Sequence, residues 1–461
     1  MPASELPSHA FKAYDIRGEV PTDLNPEFAT LLGRTLAARA AQENVTQLVI
    51  GYDGRLSSPE LAQALGQGIR EGGIGTIDLG LVPTPLVYYA AHHLGTGSGV
   101  AITGSHNPPQ YNGFKMMMAG GTLFGDSITS LRQEMGRPRA VAGSHGPSKA
   151  LDIKSNYLER VCGDVKLSRP MKIAIDCGNG VAGVIASALY QALGCEVVEL
   201  YCDVDGLFPN HHPDPAEPHN LIDLIAAVKE YDCELGLAFD GDGDRLGVVT
   251  RDGEIIWPDR QMILFARDIL SRLPGQQILF DVKCSRQLPL AIEQAGGLPL
   301  MCRTGHSLVK AKLAETGAPL AGEMSGHIFF KERWFGFDDG LYTGARLLEI
   351  LSRQTDVSAV LQALPTAFST PELKIPMNEG EPFALIEALA QTGPFEGAQT
   401  VSAIDGIRVD YLDGFGLARA SNTTPVVVLR FEGDTPMALD RIKNQFRVKL
   451  QALAPQAVLP F

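Results

Sequence analysis

The chain has 461 residues, several times a typical ~150-residue domain, so more than one hydrophobic core is expected. Charged residues make up 20% and hydrophobic residues 45%, ordinary globular values that exclude a disordered, collagen-like or low-complexity chain. Lys and Arg number 39 against 53 Asp and Glu, a net charge of −14. This disfavours general binding to nucleic acid or an anionic membrane, yet allows a local cationic pocket for a small anion.

The amino terminus, MPASELPSHAFKAYDIRG, carries no apolar run of the kind a signal peptide needs. Leu79 to Phe114 holds no Asp, Glu, Lys or Arg. Pro83, Pro85, His92, His93 and the glycines at 95, 97 and 99 interrupt it, so it is expected to form a buried strand and loops rather than a membrane span. The seven cysteines, at 162, 177, 195, 202, 233, 284 and 302, are odd in number and form no C-x-x-C pair. Reduced thiols and a cytoplasmic location are expected.

Short apolar runs alternate with longer Ala- and Leu-rich stretches, the pattern of α/β layers around mainly parallel sheets. An apolar run ending in Asp occurs three times, at Asp53, Asp176 and Asp281. Some 40 to 65 residues after each comes an apolar segment entering a polar loop, around Ser105, Asp240 and Glu323. Three related α/β domains are predicted, each presenting one loop at a strand's C-terminal end, where open sheets bind ligands. Residues 136–150 and 364–372 have linker composition, and Asp252-Gly253 marks a turn. The expected domains are therefore 1–150, 151–254, 255–367 and a smaller α+β domain, 368–461.

In chain order, the first chemical motif is Gly104-Ser105-His106-Asn107-Pro108-Pro109, followed by Lys115. A Ser on a Pro-stiffened turn beside His and Lys suits a nucleophile or phosphoryl carrier; the plain alternative is a turn with local hydrogen bonds. Gly178-Asn179-Gly180-Val181-Ala182-Gly183 matches the dinucleotide fingerprint G-x-G-x-x-G, with Glu199 downstream. Asp176 and Cys177 stand between strand and glycines, which favours a close-packed strand-to-helix turn. In Pro209–Asn220, His211, His212, His219 and Asp214 suggest a transition-metal site, although adjacent His side chains in a Pro-stiffened loop usually diverge.

Asp240-Gly241-Asp242-Gly243-Asp244-Arg245 places three carboxylates at alternate positions. Packed so tightly they repel unless a cation intervenes, and oxygen ligands suit Mg²⁺. Arg245 and Arg251 stand where a calcium EF-hand needs Gly and Glu. Gly322-Glu323-Met324-Ser325-Gly326-His327 offers acceptors and donors suited to vicinal sugar hydroxyls. Arg419-Ala420-Ser421-Asn422-Thr423-Thr424-Pro425 forms a donor-rich cradle for a phosphate. The chain has no G-x-x-x-x-G-K-[ST] phosphate loop.

Together TGSHNPPQYNGFK, DGDGDR, GEMSGH and RASNTTP, in this order, resemble the α-D-phosphohexomutase family over essentially the whole chain, from Lys12-Ala13-Tyr14-Asp15-Ile16-Arg17-Gly18 onward. Within the family, these motifs resemble the bacterial phosphomannomutase/phosphoglucomutase type. The resemblance implies three α/β domains with mixed, mostly parallel sheets, a fourth α+β domain, and an active site in a central cleft. It implies isomerase activity: reversible transfer between hexose 1- and 6-phosphates through a phosphoserine at Ser105 and a hexose 1,6-bisphosphate. Ser105, Asp240, Asp242 and Asp244 would hold Mg²⁺, and glucose 1,6-bisphosphate would act as activator. Arg17, Arg245, Lys115, His106 and His327 would serve catalysis, with Lys115 the first candidate for the base. Glu323 and Ser325 resemble the sugar ligands; Arg419, Ser421, Asn422 and Thr423 resemble the phosphate loop; Tyr14, Lys283, His306 and His327 resemble further substrate contacts. A monomer acting on a phosphosugar is expected. The alternatives are a phosphoglucosamine mutase, a Mg²⁺-dependent sugar phosphatase and, from the glycine motif, a nucleotide-dependent oxidoreductase.

Overall fold

A computed structural model describes residues 6–137, 144–422 and 424–461. These form two compact units. One comprises the chain to Pro258 with Leu313–Leu320 and Ser325–Ala363; the other comprises Asp259–Lys312, Ala321–Met324 and Leu364–Phe461. The stretch expected as a third domain thus contributes to both units.

The first unit holds a seven-stranded sheet. Its order is Ile16–Glu19, Tyr111–Met118, Gly99–Ile102, Gln47–Tyr52, Gly75–Leu81 and Ser148–Ala150, with Gly121–Thr122 beside Tyr111–Met118. Gln47–Tyr52 runs parallel to Gly75–Leu81 and Gly99–Ile102, while Tyr111–Met118 runs antiparallel to its neighbours. Helices Pro26–Gln42 and Ser58–Glu71 cross at backbone contact: a methyl on Gly33 would stand 2.3 Å from the Leu65 carbonyl oxygen, and one on Gly68 2.0 Å from that of Thr30. Phe28, Leu32, Leu36, Leu61, Leu65 and Ile69 of these helices join Ile50, Val100 and Phe114 in one core.

Two expectations for this region need correction. Between Leu79 and Phe114 the chain forms a helix, Thr84–His93, besides strands and loops. Pro85 lies in its first turn, where the missing N–H leaves no bond unmade. The reading of 136–150 as linker fails at Ser148–Ala150, a short strand pairing in parallel with Gly75–Leu81; residues 138–143 of that stretch lie outside the described residues.

The second sheet of this unit is ordered Leu246–Thr250, Leu235–Phe239, Lys172–Asp176, Glu196–Leu200. Leu235–Phe239 pairs antiparallel with Leu246–Thr250, so residues 240–245 form the turn of a hairpin. The turn is closed by the Gly243 amide on the Asp240 carbonyl at 3.0 Å, with φ +77° at Gly243 supplying the left-handed residue it needs.

In the second unit, Gln277–Asp281 pairs in parallel with Leu298–Cys302. Its C-terminal part is an antiparallel sheet, Phe368–Ser369, Val426–Gly433, Gly414–Ala420, Ile407–Tyr411 and Ala398–Ser402, with Leu373–Pro376 also on Val426–Gly433. Helices Glu381–Ala390 and Pro436–Leu453 cover it with Leu385, Leu389, Ile442, Phe446 and Leu450. This is the α+β arrangement expected. The linker expected over 364–372 contains the strand Phe368–Ser369. No helix among the described residues is long and apolar enough to cross a membrane.

Candidate active site

Strand Gly99–Ile102 delivers the chain into a loop whose backbone is fixed before any chemistry is considered. Ser105 has φ +49°, rare for a residue with a side chain, and its amide donates to Thr103 Oγ1 at 2.7 Å. Its hydroxyl donates to Asp240 Oδ2 at 3.1 Å and lies 3.1 Å from His106 Nδ1. Serine loop and acidic hairpin therefore touch through the two side chains of interest.

Asp240, Asp242 and Asp244 are all buried. Asp240 Oδ1 accepts the backbone amides of Asp244 and Arg245, each at 3.1 Å. Asp242 Oδ2 accepts Thr84 Oγ1 at 2.6 Å and Lys115 Nζ at 2.7 Å, and Asp244 Oδ2 accepts Lys115 Nζ at 2.5 Å. Burial and its two acidic neighbours push the Asp240 carboxyl well above the usual range. Burial also opposes ionisation of Asp242 and Asp244, but the Lys115 ammonium outweighs it and holds both low. Oxygens of the triad lie within 4.8 Å of one another, and Asp242 Oδ1 is buried with no hydrogen-bond partner among the described residues. An anionic oxygen left unpaired inside an oxygen-only cluster fits a hard cation.

Around the triad stand several cations. Arg17 donates from Nη1 to the Gly104 carbonyl at 3.2 Å and Asn107 Oδ1 at 2.6 Å, and pairs with Asp15 at 2.5 Å. Tyr14 is buried on the same segment. Arg245 Nε lies 3.5 Å from Asp240 Oδ2, and its Nη2 donates to His106 Nδ1 at 2.6 Å. Burial and then the Arg245 guanidinium hold the His106 pKa well below the ordinary value; the ring is neutral with its Nδ1 lone pair engaged. Lys115 titrates well above its usual range because Asp242 and Asp244 outweigh its burial. It is an ammonium here. His327 Nε2 lies 3.3 Å from Asp244 Oδ1 and 3.9 Å from Asp338 Oδ2, while its Nδ1 is 3.0 Å from Ser325 Oγ. Ser105, His106, Lys115, Arg17, the three aspartates, Arg245, Ser325 and His327 thus converge in the first unit.

The remaining expected residues lie in the second unit, apart from Tyr14. Lys283 Nζ donates to Glu372 Oε2 at 2.9 Å. Glu323 Oε1 accepts the Gly305 amide at 2.5 Å, next to the buried His306 that begins helix His306–Thr316. Arg419 Nε donates to Asp405 Oδ2 at 3.0 Å. Ser421 Oγ is 3.2 Å from Thr424 Oγ1, and Asn422 follows Ser421 directly. Thr423 lies outside the described residues.

The three repeated aspartates have a use that their sequence positions did not reveal. Asp53 Oδ2 accepts Thr103 Oγ1 and the Gly104 amide, at 2.8 and 3.1 Å. Asp281 accepts the Met324 amide at 3.1 Å and Thr304 Oγ1 at 2.8 Å. Asp176 holds the Gly178 amide at 2.8 Å and His211 Nε2 at 3.0 Å, and the nearby Pro213 carbonyl accepts the Gly241 amide at 3.1 Å. Each strand-end carboxylate anchors a polar loop. His211 is thereby spent on Asp176; among the described residues the metal-capable groups are Asp240/Asp242/Asp244 and Asp244/His327/Asp338. In the 178–183 glycine motif, a methyl on Gly180 would stand 3.0 Å from Gly241 Cα, so that glycine serves close packing against the acidic turn.

Comparison with known proteins agrees with this architecture. Models of the phosphoglucomutase/phosphomannomutase family match in four consecutive stretches: alpha/beta/alpha domain I over residues 8–138, domain II over 155–253, domain III over 257–368, and the C-terminal domain over 372–449. A phosphoglucomutase of Neisseria meningitidis is 56% identical over 96% of each chain. A phosphomannomutase/phosphoglucomutase of Pseudomonas aeruginosa is 53% identical over 100% of this chain and 99% of that protein. A crystal structure of a phosphoglucomutase/phosphomannomutase family protein from Burkholderia thailandensis, 55% identical, covers 99% of this chain and all of its own with a TM-score of 0.94. The chain belongs to the phosphoglucomutase/phosphomannomutase family, the bacterial type of α-D-phosphohexomutase, and is an isomerase of the hexose phosphate mutase class.

Proposed function

We propose that the chain interconverts the 1- and 6-phosphates of mannose, glucose or both, with Ser105 as phosphoryl carrier. The observation that carries this reading is the 3.1 Å bond between Ser105 Oγ and Asp240 Oδ2, which sets the carrier against the acidic triad. In the first half-reaction the bond from phosphorus to Ser105 Oγ breaks and one to the substrate's free hydroxyl oxygen forms; the hydroxyl gives up its proton, Ser105 Oγ gains one, and the product is the 1,6-bisphosphate. In the second, the bond from the other phosphorus to its sugar oxygen breaks, that oxygen takes a proton, and Ser105 Oγ loses its proton as it accepts the phosphoryl group. Such transfer depends on positioning and charge neutralisation more than on covalent chemistry from side chains.

Asp240, Asp242 and Asp244, with an oxygen of phosphorylated Ser105, would hold the ion, and Mg²⁺ is the cation we propose. When bound it supplies positive charge to the transferring phosphoryl oxygens. Arg17 and Arg245 add charge from their positions beside the Ser105 loop and Asp240. Lys115, an ammonium in the grip of Asp242 and Asp244, is suited to give a proton to a leaving oxygen; it must first lose one to act as base. His106, with Nδ1 engaged by Arg245, is placed to orient that guanidinium. Glu323, Ser325 and His327 read the sugar; Arg419, Ser421, Asn422 and Thr423 take the non-reacting phosphate; Tyr14, Lys283 and His306 complete the contacts. Glucose 1,6-bisphosphate would prime Ser105. The cytoplasm is the compartment we propose, supported by seven cysteines that are all unpaired thiols.

The test is a coupled assay with mannose 1-phosphate, glucose 1-phosphate and glucosamine 1-phosphate, with free phosphate monitored in parallel. Turnover of the first two without phosphate release is expected. Preference for the amino sugar, or stoichiometric phosphate release, would refute this reading.

A further inference from the structure

We propose that Arg55 is the positioning residue that shapes the Ser105 loop for phosphoryl transfer, an inference that rests on Ser105 being the carrier. Arg55 is 1% exposed. Its guanidinium donates from Nη1 to the carbonyls of Pro108 at 2.5 Å and Tyr111 at 2.9 Å, and from Nη2 to those of Ser105 at 2.8 Å and Asn107 at 2.6 Å. Nε donates to Asp53 Oδ2 at 3.1 Å. All five N–H groups of the fork are therefore engaged, four of them by backbone carbonyls of one loop.

The consequence for Ser105 is geometric. Four carbonyls between residues 105 and 111 are turned toward one buried cation, and Ser105 holds φ +49° while its hydroxyl reaches Asp240. Asp53 completes the clamp: Oδ1 takes the Arg55 amide and Ser58 Oγ, and Oδ2 takes Thr103 Oγ1 and the Gly104 amide. Gly104 lies flat against the fork, since a methyl there would stand 2.4 Å from Arg55 Cζ. A lysine ammonium keeps the charge but lacks the planar fork, so it cannot gather four carbonyls in this arrangement.

Peptide mapping of the parent enzyme comes first: phosphate found elsewhere than Ser105 would remove the carrier assignment and leave Arg55 with no role to play. With phosphate at Ser105, Arg55→Lys is assayed with glucose 1-phosphate and glucose 1,6-bisphosphate, well below its Tm. The expectation is a kcat lower by about 10- to 100-fold with KM within about twofold, as for a reacting group displaced by a fraction of an ångström. Amide hydrogen exchange should rise in peptides covering residues 103–111 and stay unchanged in the second unit. A side chain that only supports the fold would lower Tm and leave kcat at the parent value, and that result would overturn the inference. If Arg55→Lys does not fold, Asp53→Asn, which keeps size while removing the charge beside Nε, must show the same split; a folded Asp53→Asn with parental kcat would be equally fatal.

Discussion

Lys115 donates Nζ to Asp242 Oδ2 at 2.7 Å, with neither side chain more than 3% exposed. The same ammonium reaches Asp244, so a single buried cation neutralises much of the acidic turn. Removing one partner of a buried ion pair leaves an uncompensated charge and costs about 3–5 kcal/mol. Lys115→Ala should lose stability on that scale in chelator and, with Mg²⁺ as the proposed ligand of the native triad and not of the unfolded chain, recover much of it in excess Mg²⁺. Urea unfolding in both conditions checks this; equal losses would break the link between Lys115 and the metal loop.

Ser105 should carry phosphate in at least part of the protein as isolated, visible as added mass on its peptide. Ser105→Ala should lose most activity and keep its fold, because the lost hydroxyl contacts the Asp240 and His106 side chains and contributes little packing. Retained full activity with phosphate on another residue would end the carrier assignment.

Asp242→Asn should weaken metal binding and slow turnover by several orders of magnitude, since it takes charge from an oxygen-only site. Titration calorimetry with Mg²⁺ reads the first effect without reference to activity. Undiminished turnover of the parent in excess chelator would contradict both.

Arg419→Ala should raise KM for the 1-phosphate and the 6-phosphate alike, roughly 10- to 100-fold, the worth of a charge-assisted contact. The guanidinium is already oriented by Asp405 at 3.0 Å, so Asp405→Asn should move KM in the same direction by less. Steady-state kinetics in both directions decides; an unchanged KM would separate this residue from phosphate binding.

Asp339 should make stability depend on pH. Burial pushes its carboxyl up from 3.8 to about 7, against bonds from the Tyr342 amide and Tyr157 hydroxyl. The native state then keeps a proton that the unfolded chain releases, so stability falls as pH rises across this window. The contribution is complete below the unfolded value and lost as pH passes through about 7. Urea midpoints at about pH 5 and about pH 8 should differ more in the parent than in Asp339→Asn; equal slopes would refute the assignment.

Much of this was legible in the residues. The strand endings at Asp53, Asp176 and Asp281 marked the repeat, and DGDGDR marked the acidic turn, because local composition encodes both. Helix Thr84–His93 was not legible: all but its two histidines are buried, so no polar face marks a helical period. Partners far apart in sequence were equally hidden. Glu372 for Lys283, Asp405 for Arg419, Thr84 for Asp242 and Asp338 near His327 have no local pattern. Arg55 has no local signal either: nothing around position 55 announces four carbonyls contributed by residues 105–111.

The backbone contact of Gly33 and Gly68 bears on how a mutational map of this protein would be read. One added methyl at either position meets a carbonyl oxygen at 2.3 or 2.0 Å, and overpacking of this kind costs about 1–3 kcal/mol or more. In a growth selection that scores every substitution, these two glycines would look as intolerant as the proposed carrier Ser105, although they belong to a helix crossing. Abundance would have to be scored beside activity before intolerant positions were assigned to the reaction.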